Sequence, residues 1–120
     1  MKVLIVEDEP AGRLLLTLML EGVHQTGAVG TVDEAQRELA IGQWDVLLTD
    51  YKLPGKSGVE LILSLKSRGD TLPIIMMTGQ GSKDEGLKYI KDKVHKLLIK
   101  PFSREDLLAA LEGIRPISRH

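Results

Sequence analysis

A chain of 120 residues and 13.2 kDa is the size of one domain, read here as residues 1–120 with a short tail at 116–120. At 42% hydrophobic and 28% charged, it can bury a core without staples. Sixteen basic against seventeen acidic side chains give a formal charge of -1, which supplies no basic field for nucleic acid or anionic lipid. The lack of cysteine excludes disulfide scaffolds, thiolate metal sites and cysteine nucleophiles.

The N-terminal run Val3-Leu4-Ile5-Val6 is a strand of buried type, and Glu7 follows too early for a signal peptide. No apolar run approaches the length of a membrane span, so a soluble cytoplasmic domain is expected. Glu9-Pro10 opens a helix with proline at its first position, and Leu14, Leu15, Leu18 and Met19 form its apolar stripe. Ala28-Val29-Gly30 is a weaker strand candidate. Val46-Leu47-Leu48, Ile74-Ile75-Met76-Met77 and Leu97-Leu98-Ile99 are further short, unalternated runs, the pattern of strands buried on both faces. Behind the later strands lie the pairs Thr31/Glu34, Ser57/Glu60, Ser82/Glu85 and Ser103/Asp106, each spaced as a helix capping box. Pro54, Gly55 and Gly58 punctuate the loop before the third helix. Leu107, Leu108, Leu111 and Ile114 are spaced as the buried face of the last, and Trp44, before the third strand, reads as core packing far from Asp50. Strand and helix therefore alternate five times. An α/β doubly wound five-stranded parallel sheet of flavodoxin-like type, with strand order 2-1-3-4-5 and five helices, fits this alternation and length.

Ligands of such sheets bind beyond the carboxyl ends of the strands, where the strand order switches. Glu7 and Asp8 follow the first strand, Asp50 the third, Thr78 the fourth and Lys100 the fifth. Carboxylates crowded in one crevice cannot all stay ionised without compensation. A hard cation with oxygen ligands supplies it, and Mg2+ suits carboxylates, waters and a phosphoryl oxygen. A hydroxyl and an ammonium beside that cation describe a site for a transferred phosphoryl group. A carboxylate nucleophile would then form an aspartyl phosphate. Asp50 is the candidate, because it ends the central strand and is expected to lie deepest.

Glu7-Asp8, Asp50 with Leu53-Pro54 and Gly58, Thr78-Gly79 and Lys100-Pro101-Phe102 together resemble the receiver domain of two-component response regulators, in order and over essentially the whole chain. The resemblance implies that Asp50 accepts a phosphoryl group from a phosphohistidine on a sensor histidine kinase or histidine phosphotransfer protein. It implies that Asp8, Asp50 and the backbone carbonyl of Lys52 bind Mg2+ directly, with Glu7 acting through water. Thr78 would bond a phosphoryl oxygen, and Lys100 would pair with Asp50 or its phosphate. Such a domain catalyses only its own phosphorylation and dephosphorylation, and it switches contacts with a downstream protein. No nucleic acid or membrane is expected to be bound by the domain itself. A phosphorylation-dependent homodimer through the last helices is open to it, and no sequence pattern selects one.

Several positions depart from the family pattern. Leu97 stands where an aromatic ring is usual, so output through a ring rotamer does not carry over. Lys91 to Lys96 contain no glycine for a left-handed cap, so the helix end there is expected to be irregular. Lys52 and Gln80 flank the acceptor where the family varies its dephosphorylation rate, and a Lys52 ammonium near the phosphoryl group would alter attack by water. The alternative function is a receiver-shaped interaction module that is never phosphorylated. A nucleotide-binding protein of this fold would need a glycine-rich turn where Glu7-Asp8-Glu9-Pro10 stands.

Overall fold

The computed structural model describes residues 1–55, 57–79 and 85–114, with only the backbone of Glu85. Five parallel strands, β1 (Lys2–Val6), β2 (Gln25–Val29), β3 (Val46–Asp50), β4 (Ile74–Gly79) and β5 (Lys96–Lys100), form one sheet in the order β2-β1-β3-β4-β5. The helices α1 (Pro10–Leu20), α2 (Val32–Ile41), α3 (Gly58–Ser67), α4 (Glu85–Ile90) and α5 (Arg104–Glu112) alternate with them. This is the doubly wound architecture expected from the sequence.

Alternation within β1 divides the core between the two faces of the sheet. Val3 and Ile5 join Leu16 and Leu20 of α1 and Leu107 and Leu111 of α5. Leu4 and Val6 join Val32 and Ala35 of α2 and Leu61, Ile62 and Leu65 of α3. β1, β3 and β4 carry helices on both faces and are buried nearly throughout, as their unbroken apolar runs require.

The outer elements differ from expectation. β5 is an edge strand in which Leu98 is buried and Ile99 is 56% exposed, so it is not covered on both faces. β2, at the other edge, begins at Gln25 and ends at Val29, earlier than the weak candidate at Ala28 to Gly30. On α1 the buried residues are Leu16 and Leu20, whereas Leu14, Leu15 and Leu18 stand 60%, 54% and 53% exposed. Most of the expected apolar stripe therefore faces outward. The last helix does bury Leu107, Leu111 and Ile114, with Leu108 packed partly against them.

Thr31, Ser57 and Ser103 each accept from the amide of the acidic residue three positions on. Among these three, only Ser103/Asp106 closes both hydrogen bonds of the box, and the Ser103 amide, then its side chain, hold the Asp106 carboxyl below its usual range. Ser82/Glu85 falls outside the described residues, as do Gln80 and the tail at 116–120. After α4 the chain narrows into a 3-10 turn at Lys91–Lys93, the irregular ending anticipated from its missing glycine. Gly55 adopts a positive φ of 77° in the loop after β3.

Candidate functional site

The register of the sheet delivers the site. Val6 lies beside Thr49, Asp50 beside Met77, and Gly79 beside Lys100. The residues that end these strands therefore meet at one edge. Lys100 Nζ lies 2.8 Å from Asp50 Oδ2 and 3.6 Å from Glu7 Oε2. Glu7, Asp8 and Asp50 each bring a carboxylate oxygen to within 4.8 Å of the others. Lys52 is exposed in the following loop. The Lys100–Pro101 peptide bond is cis.

Depth differs from the sequence reading. The Glu7 side chain is 6% exposed and that of Asp50 13%, so Glu7, not Asp50, is the deeper acid. The central strand does carry Asp50, but Glu7 directly follows β1, its amide bonded to Val29 O of β2 at 3.0 Å, and its side chain is the more buried of the two. Gly12 permits this, because a Cβ there would stand 2.6 Å from Glu7 Oε1. A glycine inside a helix costs about 1 kcal/mol against alanine, and here that cost makes space for a carboxylate.

Burial, then the hydrogen bond and charge of Asp50, push the Glu7 carboxyl up to about 7, against the opposing pull of Lys100. Burial alone would depress Lys100; the hydrogen bond and charge of Asp50, with Glu7, outweigh it and hold its ammonium above the ordinary value. Among the described residues, the buried side-chain polar atoms without a hydrogen-bond partner are Glu7 Oε2 and Thr78 Oγ1. A buried orphan of this kind costs about 1–3 kcal/mol, so two at one edge mark a place fitted to another species. Thr78 is 3% exposed and does not bond a turn backbone, the ordinary structural use of a strand-end threonine. The donor set is hard oxygen, which fits Mg2+, and the unpaired hydroxyl fits an anionic oxygen.

An apolar groove of about 550 Å3 is lined by Leu15, Leu16, Met19, Met77 and Phe102 together with Glu7 and Lys100. Other residues considered in the sequence lie apart from the site. Trp44 is buried at the amino end of β3. His24 Nδ1 lies 3.2 Å from the N-terminal amine, and burial and that charge lower its pKa. His95 Nδ1 accepts from the Ile74 amide at 3.4 Å, and His120 falls outside the described residues. Sequence reasoning passed over Arg13, whose Nη1 donates to the carbonyl oxygens of both Glu7 and Asp8.

A doubly wound sheet that gathers acids, a hydroxyl and a lysine at its carboxyl edge has the form of a receiver domain of a signalling system. The chain belongs to the response regulator receiver domain family, which it matches over residues 3–112. It is 35% identical to the phosphate regulon transcriptional regulatory protein PhoB of Rhizobium meliloti, over 94% of this chain and 51% of that protein. It is 34% identical to the two-component response regulator PhoP of Pseudomonas aeruginosa, over 95% of this chain and 51% of that one. The chain thus spans about half the length of these curated relatives. Among solved structures, the chemotaxis response regulator CheY4 of Vibrio cholerae superposes with a TM-score of 0.82 at 26% identity, over 95% of this chain and 98% of that one.

Proposed function

We propose that residues 1–120 act as a Mg2+-dependent phosphoacceptor in which Asp50 takes a phosphoryl group from a phosphohistidine on a sensor histidine kinase or histidine phosphotransfer protein. The observation that carries this reading is the meeting of Asp50, Lys100, Glu7 and Asp8 beside an unpaired Thr78 hydroxyl. A carboxylate oxygen of Asp50 forms the bond to phosphorus as the donor P–N bond breaks, and the imidazole nitrogen leaves with that electron pair. Lys100 pairs with the Asp50 carboxylate beforehand and with a phosphoryl oxygen afterwards. Thr78 donates its hydroxyl hydrogen to another phosphoryl oxygen. Asp8, Asp50 and the Lys52 carbonyl, with Glu7 through water, would hold Mg2+, whose charge keeps the acids ionised and neutralises the moving group.

A protein donor suits the surroundings of the acids better than a small molecule does. Leu14, Leu15 and Leu18 stand exposed on the helix that borders the groove, and Glu7 and Lys100 are among the residues that line it. A phosphohistidine-bearing helix laid there would bury those leucines and bring its imidazole to the acids. The modified domain then exchanges one protein contact for another, with no nucleic acid or membrane bound by the domain itself.

Incubation with a small phosphodonor and Mg2+, followed by intact mass, tests the reading. One phosphoryl adduct that disappears in Asp50→Asn is expected. No adduct from any donor or kinase would favour the unphosphorylated interaction module instead.

A further inference from the structure

We propose that Arg13 is a positioning residue for the metal-binding acids, and that Gly30 keeps open the space its guanidinium needs. The role rests on the Mg2+ reading above and concerns the backbone beneath the ligands.

Mg2+ demands near-ideal geometry, so the loop after β1 must hold Glu7 and Asp8 within a few tenths of an ångström. Two clamps do this. On the sheet side, the Glu7 amide donates to Val29 O of β2 at 3.0 Å. On the helix side, Arg13 Nη1 donates to Glu7 O at 2.8 Å and to Asp8 O at 3.0 Å. One nitrogen therefore fixes both carbonyls of the acid pair. Arg13 is itself placed by the first turn of α1, its amide donating to Glu9 O at 2.9 Å and its carbonyl accepting from the Thr17 hydroxyl at 2.8 Å.

Gly30 completes the arrangement. A Cβ at this position would stand 2.7 Å from Arg13 Nη1 and 3.5 Å from its Cζ. Among the described residues the glycines of positive φ are Gly22, Gly55 and Gly69; Gly30 is not one of them, so its own backbone does not require glycine. What a side chain would displace is the far end of Arg13. Glu34 Oε1 accepts from the Gly30 amide at 3.3 Å and the Thr31 hydroxyl at 3.1 Å, so the start of α2 holds the Gly30 backbone in place.

Three effects of Arg13 are separable: its hydrogen bonds, its charge and its contribution to packing. The test measures Mg2+ dissociation constants by calorimetry, and backbone carbonyl resonances in metal-free protein, for wild type, Arg13→Met, Arg13→Lys, Gly30→Ala and the Arg13→Met/Gly30→Ala pair. Partners that orient metal ligands typically contribute 10–100-fold in affinity, so Arg13→Met is expected to weaken Mg2+ roughly tenfold, with Arg13→Lys intermediate. Gly30→Ala is expected to match Arg13→Met, and the pair to be no worse than Arg13→Met alone, because both remove one interaction. In metal-free protein the Glu7 and Asp8 carbonyl signals should move in each single variant while those of Leu47 and Ile75 stay. Unchanged Mg2+ affinity and unmoved carbonyl signals in folded Arg13→Met would overturn the role. Tighter binding in Arg13→Met would also overturn it, by showing that Arg13 acts only as a repelling charge. Additive losses in the pair would refute the part given to Gly30. A wild type that binds no Mg2+ would remove the metal reading and this role together.

Discussion

The two ends of the sheet are built to opposite standards. At the amino end polar groups find partners: Trp44 Nε1 donates to Glu38 O at 3.1 Å, the Lys2 amide to Asp45 Oδ2 at 2.7 Å, and the Lys2 ammonium lies 5.1 Å from the centre of the Trp44 ring. At the carboxyl end Glu7 Oε2 and Thr78 Oγ1 are buried without a hydrogen-bond partner, and three acids lie within 4.8 Å of one another, two of them beside Lys100. One end spends its polar groups on the fold. The other withholds them, and buried groups left unpaired cost stability unless something else binds there. The contrast teaches that the carboxyl end is arranged for a species other than the chain itself.

The sharpest way to break this contrast is to exchange the two kinds of residue. Trp44→Ala is expected to destabilise the domain by about 3–5 kcal/mol while leaving Mg2+ affinity unchanged wherever the protein is folded, as denaturant unfolding and calorimetry would show. Thr78→Val should do the reverse. It replaces an unpaired hydroxyl with a methyl, so stability should hold or rise by up to about 1–3 kcal/mol, while phosphorylation by a small donor falls at least tenfold. A large loss of stability in Thr78→Val would show that the hydroxyl serves the fold after all.

Titration separates the ends further. The Glu7 carboxyl lies near 7 in the folded protein against 4.5 as its ordinary value, so the folded state binds more protons between those limits. Stability of the metal-free domain should therefore fall as pH rises from about 4.5 to about 7 and level off above that. Glu7→Gln should raise the melting temperature by a few degrees at pH 8 and have no such effect at pH 4. Mg2+ requires the ionised carboxylate, so its affinity should rise by up to about tenfold between pH 6 and pH 8 and lose most of that slope in Glu7→Gln. A flat profile in the wild type would contradict the burial-driven shift.

The smallest effects test the surroundings. Leu15→Glu should leave stability within about 0.5 kcal/mol and phosphorylation by a small donor unchanged, while slowing transfer from a cognate kinase. Mg2+ should leave Trp44 fluorescence nearly unaltered, since the ring sits at the opposite end of β3. Strong quenching would mean that the ends are coupled.

The central fold could be read from residues because β1, β3 and β4 need apolar side chains on both faces, and an unbroken run has few other uses. The edges could not. Leu97-Leu98-Ile99 has the same composition as a central strand, and its position as the last strand of the sheet, not its sequence, leaves Ile99 exposed. Leu14, Leu15 and Leu18 have helical spacing but stand more than half exposed, whereas Leu16 and Leu20 of α1 are buried against the sheet. The acids, Thr78 and Lys100 are legible as candidates because strand ends of this fold converge. Which acid lies deeper is not, since that depends on how the loop folds and on the space beside Gly12. Arg13 was missed for a plainer reason. It bonds carbonyl oxygens, which every residue carries and no motif records. Gly12, unusual inside a helix, was the visible signal of close packing there.

Chemical mapping of the modified residue is the most direct test of the claim that Asp50 is the phosphoacceptor. After phosphorylation in the presence of Mg2+, borohydride reduces an aspartyl phosphate to homoserine, which peptide mass spectrometry locates. The account requires homoserine at position 50 alone. Homoserine at position 8, the reduced counterpart of Glu7 at position 7, or unreduced phosphate on a histidine, serine or threonine would contradict it.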